Sequence, residues 1–365
     1  MSVRIVHTAD LHLDSAFSSL PPEQASARRR LQRAVLYKIA ETVRAERADV
    51  LLMSGDIFDS SFTYKETDEA FLDALGSIDA HVFIAPGNHD PFDGQGAYSK
   101  LALPENVHVF ATESITYVDL PELNCRVWGA GFMAPECRSL LDGFAPEQNG
   151  MIQIMALHAD TEGGVYDPIS RRQIAASGLD YLALGHIHAF SGICREGGTF
   201  YAYPGCPEGR GFDELGQKGV IAGTVDRGSC ALRFVPLDGV RYDILKVDVT
   251  GADPYTCAVN AMAGRSRMGF YRLELTGQTA QKPDTAAIER ALSGEYMGVS
   301  VYDSTRVYAD MWQLAGEDSL KGEFLSIMKG RLETAEPSQR EQIALAVQFA
   351  IAAMDNYDIP EMGLE

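Results

Sequence analysis

Along the first two thirds of the chain, short apolar runs alternate with segments of helical periodicity. Residues 3–6, 50–53, 82–85, 152–157 and 181–184 are rich in β-branched and aliphatic side chains, and they are too short for buried helices. They predict buried strands. Between the first two, Leu31, Ala34, Val35, Ile39 and Val43 recur at helical spacing over residues 23–47, and Pro21-Pro22 just ahead suits a helix start. Residues 63–75 and 168–176 read as further helices. Strand–helix alternation of this kind argues for an α/β domain with a layered sheet.

From about residue 190 the texture changes to short β-type runs separated by glycine, at 199–203, 219–225 and 231–235. This predicts a hairpin-rich edge closing a first domain over residues 1–240. A strand–helix–strand–helix–strand order follows at 244–249, 255–263, 270–275, 285–292 and 299–302, which predicts a small α/β cap over 241–310. Beyond Trp312 the chain reads as helical, at 320–334 and 339–356, giving a C-terminal helical segment over 311–365. Leu345, Phe349 and Ala352 make a short apolar stripe there, suited to packing on the cap or docking on a partner.

Composition narrows the class. The 365 residues, 46% hydrophobic and 22% charged, suit a globular chain of two or three domains. No run of 18 apolar residues suggests a membrane span, and the N-terminus enters a strand without the pattern of a signal peptide. Six scattered cysteines without a C-x-x-C pair suit reduced packing residues, so a cytoplasmic protein is expected. The net charge of −20 weighs against a nucleic-acid substrate, because phosphate backbones are usually met by basic surface.

Chemistry gathers at the ends of the five apolar runs. Asp10-Leu11-His12, Gly55-Asp56-Ile57-Phe58-Asp59, Gly87-Asn88-His89-Asp90, His158-Ala159-Asp160 and Gly185-His186-Ile187-His188 each stand where an open α/β sheet collects ligands, beyond the carboxyl ends of its strands. In extended backbone residues i and i+2 point the same way, so Asp10 with His12, and His186 with His188, aim paired groups at one place. The glycines before Asp56, Asn88 and His186 are expected to permit sharp turns. Carboxylate, imidazole and amide together suit manganese, iron or zinc better than calcium or magnesium. Two such ions about 3.5–4 Å apart activate water and clamp attacking and leaving oxygens, and Asp56 is the natural bridge. A single histidine on an apolar run is usually a core residue, but five of the eight histidines lie in these motifs.

This constellation resembles the calcineurin-like metallophosphoesterase superfamily, whose signature D-x-H, G-D-x-x-D, G-N-H-D, H and G-H-x-H appears in order across residues 1–240. The phrases HTADLHLD, SGDIFD, APGNHD and ALGHIH resemble the SbcD-type DNA repair exonucleases. Residues 203–219 and 320–324 add a likeness to the shorter YhaO-like group. The resemblance implies a layered β-sandwich flanked by helices. It implies one metal on Asp10, His12, Asp56 and His188, and a second on Asp56, Asn88, His158 and His186. His89 would serve the leaving oxygen, Asp90 would orient His89, and Asp59 would hydrogen-bond near the ligands. A manganese-dependent DNA exo- or endonuclease follows, with an SMC-like partner ATPase and a homodimer among its expected partners. Smaller phosphoesters are the alternative substrate class, and a non-catalytic DNA-end or partner-binding scaffold is the alternative of another kind.

Other residues have plainer readings. Asp14 stands where many members have glycine. His7 suits the core or the surroundings of the ligands, while His81 and His108 suit no catalytic part. Arg28-Arg29-Arg30 with Arg33 suits a solvated helix face before a DNA contact, and Arg210 either reaches a substrate phosphate or belongs to an ordinary turn.

Overall fold

Strand β1 (Val3–Thr8) is buried on both faces except at Arg4, and that double burial sets up a layered arrangement. Its Val3 and Ile5 face one core while Val6 faces another, as period-two alternation requires. The same division repeats in β2 (Val50–Met53), where Val50 and Leu52 look one way and Leu51 and Met53 the other. Strands buried on both sides read as unbroken apolar runs. The computed structural model describes residues 2–354 apart from 95, 148, 280 and 308–310, and leaves undescribed the side chains of 311, 313, 337, 338, 341, 348 and 352.

Helix α1 (Pro22–Ala45) lies between β1 and β2 in the chain, and α2 (Lys65–Gly76) between β2 and β3 (His81–Ile84). Then come α3 (Ala97–Lys100), β4 (Val107–Val109), β5 (Thr116–Leu120), β6 (Cys125–Gly129), β7 (Ile152–His158), α4 (Arg171–Ala176) and β8 (Tyr181–Gly185). Strands β9 (Cys194–Glu196), β10 (Thr199–Ala202), β11 (Gly219–Asp226) and β12 (Ser229–Pro236) follow. They form two six-stranded sheets, ordered β12-β11-β1-β2-β3-β4 and β5-β6-β7-β8-β10-β9. Strands β1 to β4 run parallel, as do β6, β7, β8 and β10.

Between the sheets lies a core containing Ile5, Leu52 and Phe83 from one and Val127, Ile154 and Tyr181 from the other. Val35, Ile39 and Phe71 of α1 and α2 cover the outer face of the first sheet, and Ile174 of α4 packs with Leu157 and Leu184 on the second. This is the β-sandwich flanked by helices. Parallel direction matters for function, because it brings the carboxyl ends of β1, β2 and β3 to one edge of their sheet and those of β7 and β8 to one edge of theirs.

Strand β4 holds His108, which the sequence places in a strand-like run, whereas β5 and β6 lie where the apolar pattern marks no element. Their sequences are short, and β6 is interrupted by Arg126, whose guanidinium turns out to Asp119 at 2.6 Å and over the Tyr117 ring at 3.7 Å. Helix α4 starts at Arg171, three residues later than the sequence suggests. Ser170 caps it instead, in a box with Gln173.

The described chain divides into two compact units, one of residues 1–244 with 266–271 and 296–298, the other of the remainder. Beyond β12 the elements are β13 (Arg241–Asp248), α5 (Pro254–Met262), β14 (Gly269–Thr276), β15 (Gln278–Thr279), α6 (Thr285–Leu292), β16 (Gly298–Asp303) and β17 (Arg306–Val307). Strands β13, β14 and β16 form a three-stranded sheet. Asp253 and Asp284 cap α5 and α6 by accepting the Thr256 and Ala287 amides at 2.9 Å. Helices α7 (Leu320–Thr334) and α8 (Pro337–Met354) complete the described chain. The expected helix end at Asn356 and the Ala352 side chain lie outside the described residues. Among the described residues no helix is long and apolar enough to cross a membrane, and all six cysteines are free thiols.

Candidate metal centre

The turns after β1 and β2 are stitched together by backbone. Asp10 and His12 donate their amides to the Gly55 and Asp56 carbonyls at 3.0 and 2.9 Å, and Leu13 donates to Ile57 at 2.8 Å. Asp10, His12 and Asp56 hold φ of 54°, 44° and 50°, and His186 after β8 holds 108°. Each such left-handed residue costs about 1–3 kcal/mol and persists where surrounding bonds over-determine it. Here the strain coincides with the candidate ligands.

The glycines work differently from expectation. Gly55 does take a positive φ of 82°, but Gly87 and Gly185 do not. What those two need is closeness: an added Cβ would collide with the Asp56 carboxylate at Gly87 and with the Ser54 carbonyl at Gly185.

Asp56 lies at the centre. Its Oδ2 is 3.6 Å from His12 Nε2 and 3.5 Å from His158 Nε2, and its Oδ1 accepts the His89 amide at 2.9 Å. His188 Nε2 stands 3.2 Å from His12 Nε2 and 3.9 Å from Asp10 Oδ1. His158 Nε2 meets Asn88 Oδ1 at 3.0 Å. Three groups offer donor atoms within 4.8 Å of one another: Asp10 with His12 and His188, His12 with Asp56 and His89, and Asp10 with Asp56 and His158. His186 lies beside this cluster, its ring 5.2 Å from that of His158, and its Nε2 3.8 Å from Asp160. The His186 amide donates to Asp10 at 3.0 Å.

The outward nitrogens decide what the inward ones can do. His158 Nδ1 faces the Ser54 carbonyl at 3.0 Å, an acceptor only, so Nδ1 carries the proton and Nε2 the lone pair. His12 Nδ1 faces Asp59 at 3.0 Å and His188 Nδ1 faces Glu214 at 2.8 Å, with the same consequence. Lone pairs therefore converge: His12 on His188, and His158 on the Asn88 oxygen. Such an arrangement could hold a divalent cation between its members. The mixed nitrogen and oxygen set fits a pair of borderline divalent ions.

Electrostatics agree. Burial, reinforced by the charge of Asp56, pushes Asp10 well above the usual carboxylate range. Burial would raise Asp56 too, but His158, His12 and the His89 amide outweigh it and hold it low. Desolvation lowers His12 to about 4, against the pull of Asp59, and lowers His158 and His186 as well. All three favour the neutral imidazole that a metal requires.

Two expected roles meet different surroundings. Asp90 does not face the His89 ring. Its buried carboxylate accepts the amides of Gly87 and Ile57 at 2.7 Å and of Asp56 and Phe58 at 3.2 Å, and the Tyr98 hydroxyl. It braces the Asp56 turn. The ring of His89, 45% exposed, has Asp59 for a neighbour, with Nδ1 3.3 Å from the Asp59 carbonyl. Arg28, expected on a solvated face, is buried; it pairs with Glu208 at 2.7 Å and donates to the Gly209 carbonyl at 3.0 Å, because α1 packs against the loop of residues 204–218. Arg33 reaches Thr67 at 3.2 Å, and Arg29 lies over the Tyr64 ring.

Asp14 takes a φ of 68° and accepts the Tyr64 amide at 2.8 Å, which ties the first turn to the start of α2. His7 is buried, 2.8 Å from the Tyr181 hydroxyl, and desolvation drops it to about 3. His81 is partly exposed beside Glu122, and His108 packs on Phe110.

Sequence reasoning passed over Glu214. Its carboxylate takes His188 Nδ1 on one side and the Arg210 guanidinium on the other, at 2.6 Å. Asp213-Glu214 shares a loop with Arg210, but spacing alone does not say which acid turns inward.

A family model for the calcineurin-like phosphoesterases matches residues 3–190. The chain is 30% identical over 270 residues to the uncharacterized metallophosphoesterase YhaO of Bacillus subtilis, covering 69% of this chain and 64% of that one. It is 23% identical over 276 residues to the DNA double-strand break repair protein Mre11 of Methanopyrus kandleri, covering 68% and 60%. To the SbcD component of the nuclease SbcCD of Rhodobacter capsulatus it is 24% identical over 351 residues, covering 80% and 84%. The chain thus spans less than two thirds of the length of the first two.

Proposed function

This chain belongs to the calcineurin-like phosphoesterase family, and from that premise we propose that it is a two-metal phosphodiesterase cutting DNA as an exo- or endonuclease. The observation carrying the metal part is the facing pair of His12 and His188 Nε2 atoms, 3.2 Å apart with both Nδ1 atoms held by carboxylates. Asp10, His12, Asp56 and His188 would hold one divalent ion, and Asp56, Asn88, His158 and His186 the other. The proposed ion is manganese, with iron or zinc as alternatives, since all three accept mixed carboxylate and imidazole donors. When bound, such a pair activates water and offsets charge on the phosphate.

The chain's own groups do the rest. Asp56, with one oxygen between His12 and His158, keeps the two halves at a fixed spacing. His89 stands at the open side of the cluster, exposed, where it can place a proton on the departing oxygen. Asp90 holds the turn on which Asp56 depends. The likeness to a repair protein and to one subunit of a nuclease supports DNA as substrate and a partner subunit; an SMC-like ATPase in that place and a homodimer belong to the same proposal.

The net charge of −20 favours a second reading, a nucleotide or another small phosphoester. Labelled linear duplex, single-stranded DNA and a small diester, each incubated with the protein in manganese, separate the two. DNA cleavage that falls steeply with added salt supports the first reading, because counterion release makes binding of long nucleic acid salt-dependent. Turnover of the small diester alone removes DNA. A metal-replete protein silent on every substrate would instead indicate a scaffold.

A further inference from the structure

Arg210 and Glu214 together face the outward nitrogen of His188, and they make opposite demands on it. Glu214 Oε1 lies 2.8 Å from Nδ1, and Arg210 Nη2 lies 3.2 Å from the same atom. A carboxylate only accepts, so beside it Nδ1 carries the proton and Nε2 presents its lone pair inward. A guanidinium only donates, so a partnership with it would leave Nδ1 bare and put the proton on Nε2, where a metal must bind. Glu214 is the nearer and is buried. It also occupies the guanidinium: Arg210 Nη2 donates to Oε1 at 2.6 Å and Nε to the same carboxylate at 3.1 Å.

The fork reaches further. Arg210 Nη1 approaches Asp59 at 3.4 Å, and Asp59 in turn takes His12 Nδ1 at 3.0 Å. One cation thus joins the two carboxylates that orient two histidines of the same half of the cluster. The loop carrying this clamp is anchored from α1 by the buried Arg28–Glu208 pair.

We propose that Glu214 is a positioning residue that selects the metal-competent tautomer of His188, that it does so by outcompeting Arg210, and that Arg210 braces this carboxylate rather than contacting substrate phosphate. The proposal rests on the two-metal reading above. It makes an asymmetric demand: losing Glu214 harms only the ion held by Asp10, His12, Asp56 and His188. It also makes a non-additive one, since with Glu214 gone the remaining arginine both donates to Nδ1 and repels the cation. Removing Arg210 as well should then restore binding.

Calorimetric titration of metal-stripped protein with manganese tests this without an activity assay. Wild type should take up two ions. Glu214→Ala should weaken one of them by about 10- to 100-fold, the usual cost of losing a group that orients a ligand, with the other unchanged. Glu214→Ala with Arg210→Ala should bind that ion more tightly than Glu214→Ala alone. Should Glu214→Ala fail to fold, Glu214→Gln with and without Arg210→Ala repeats the comparison. Glu214→Ala binding both ions like wild type would overturn the proposal, as would a double variant equal to or worse than the single. Wild type binding fewer than two ions would defeat the two-metal reading itself, which is a separate outcome.

Discussion

The backbone amide of His89 donates to Asp56 Oδ1 at 2.9 Å, so the residue at the mouth of the cluster is fixed to the one at its centre by an atom that His89→Ala leaves in place. Position and chemistry at residue 89 are therefore separable.

His89→Ala should keep Asp56 in place and both ions bound while lowering the rate by roughly 10²–10⁴-fold, the usual loss for a proton-transfer group. Asp56→Ala should release one or both ions and abolish turnover. Metal content and rate, measured on both variants, check the pair; metal lost from the first and kept by the second would reverse the assignment.

Asp90→Ala should act first on stability. It removes the acceptor for the amides of Gly87 and Ile57, each at 2.7 Å, and for the buried Tyr98 hydroxyl. Unsatisfied buried donors cost about 1–3 kcal/mol each, so a loss of at least about 3 kcal/mol is expected in urea unfolding. A variant of wild-type stability that is merely slow would instead assign Asp90 to His89.

Arg28→Ala should also be a stability variant. The guanidinium is buried against Glu208 at 2.7 Å, and breaking such a pair from one side typically costs about 3–5 kcal/mol. Urea midpoints of wild type and variant check it. An unchanged midpoint with weakened DNA binding would return Arg28 to the surface role its neighbours in sequence suggest.

Asp167 predicts a pH dependence away from the metal ligands. Burial pushes its carboxyl from 3.8 up to about 7; Oδ1 accepts the Leu140 amide at 2.6 Å while Oδ2 has no partner. Between those values the folded chain holds a proton that the unfolded chain has released. The stabilising contribution is complete below the ordinary carboxylate range and declines as pH rises through about 7. Asp167→Asn should abolish this decline, gaining up to about 4 kcal/mol on wild type at pH 8 relative to pH 4. Equal differences between the two proteins at both pH values would contradict it.

How far the sequence reaches can be judged from particular residues. Doubly buried strands such as β1 and β2 are visible because both faces carry apolar residues, whereas β6 hides because Arg126 sits mid-strand and turns to Asp119. The five motifs announce their residue types because parallel strands end together. Partners contributed by loops leave no periodic trace. Glu214 reaches His188 across an irregular loop, and Asp90 turns to the backbone of residues 56–58 although His89 is its neighbour in the chain. Arg28 looks like a surface cation in a run of arginines, and only the packing of α1 on the 204–218 loop reveals its burial.

Two ions among these side chains would be seen by anomalous diffraction at the manganese edge from crystals grown with manganese. Two peaks about 3.5–4 Å apart, both touching Asp56, with His12 and His188 on one and Asn88 and His158 on the other, are the predicted result. A single peak, or none within reach of Asp56, would contradict the account.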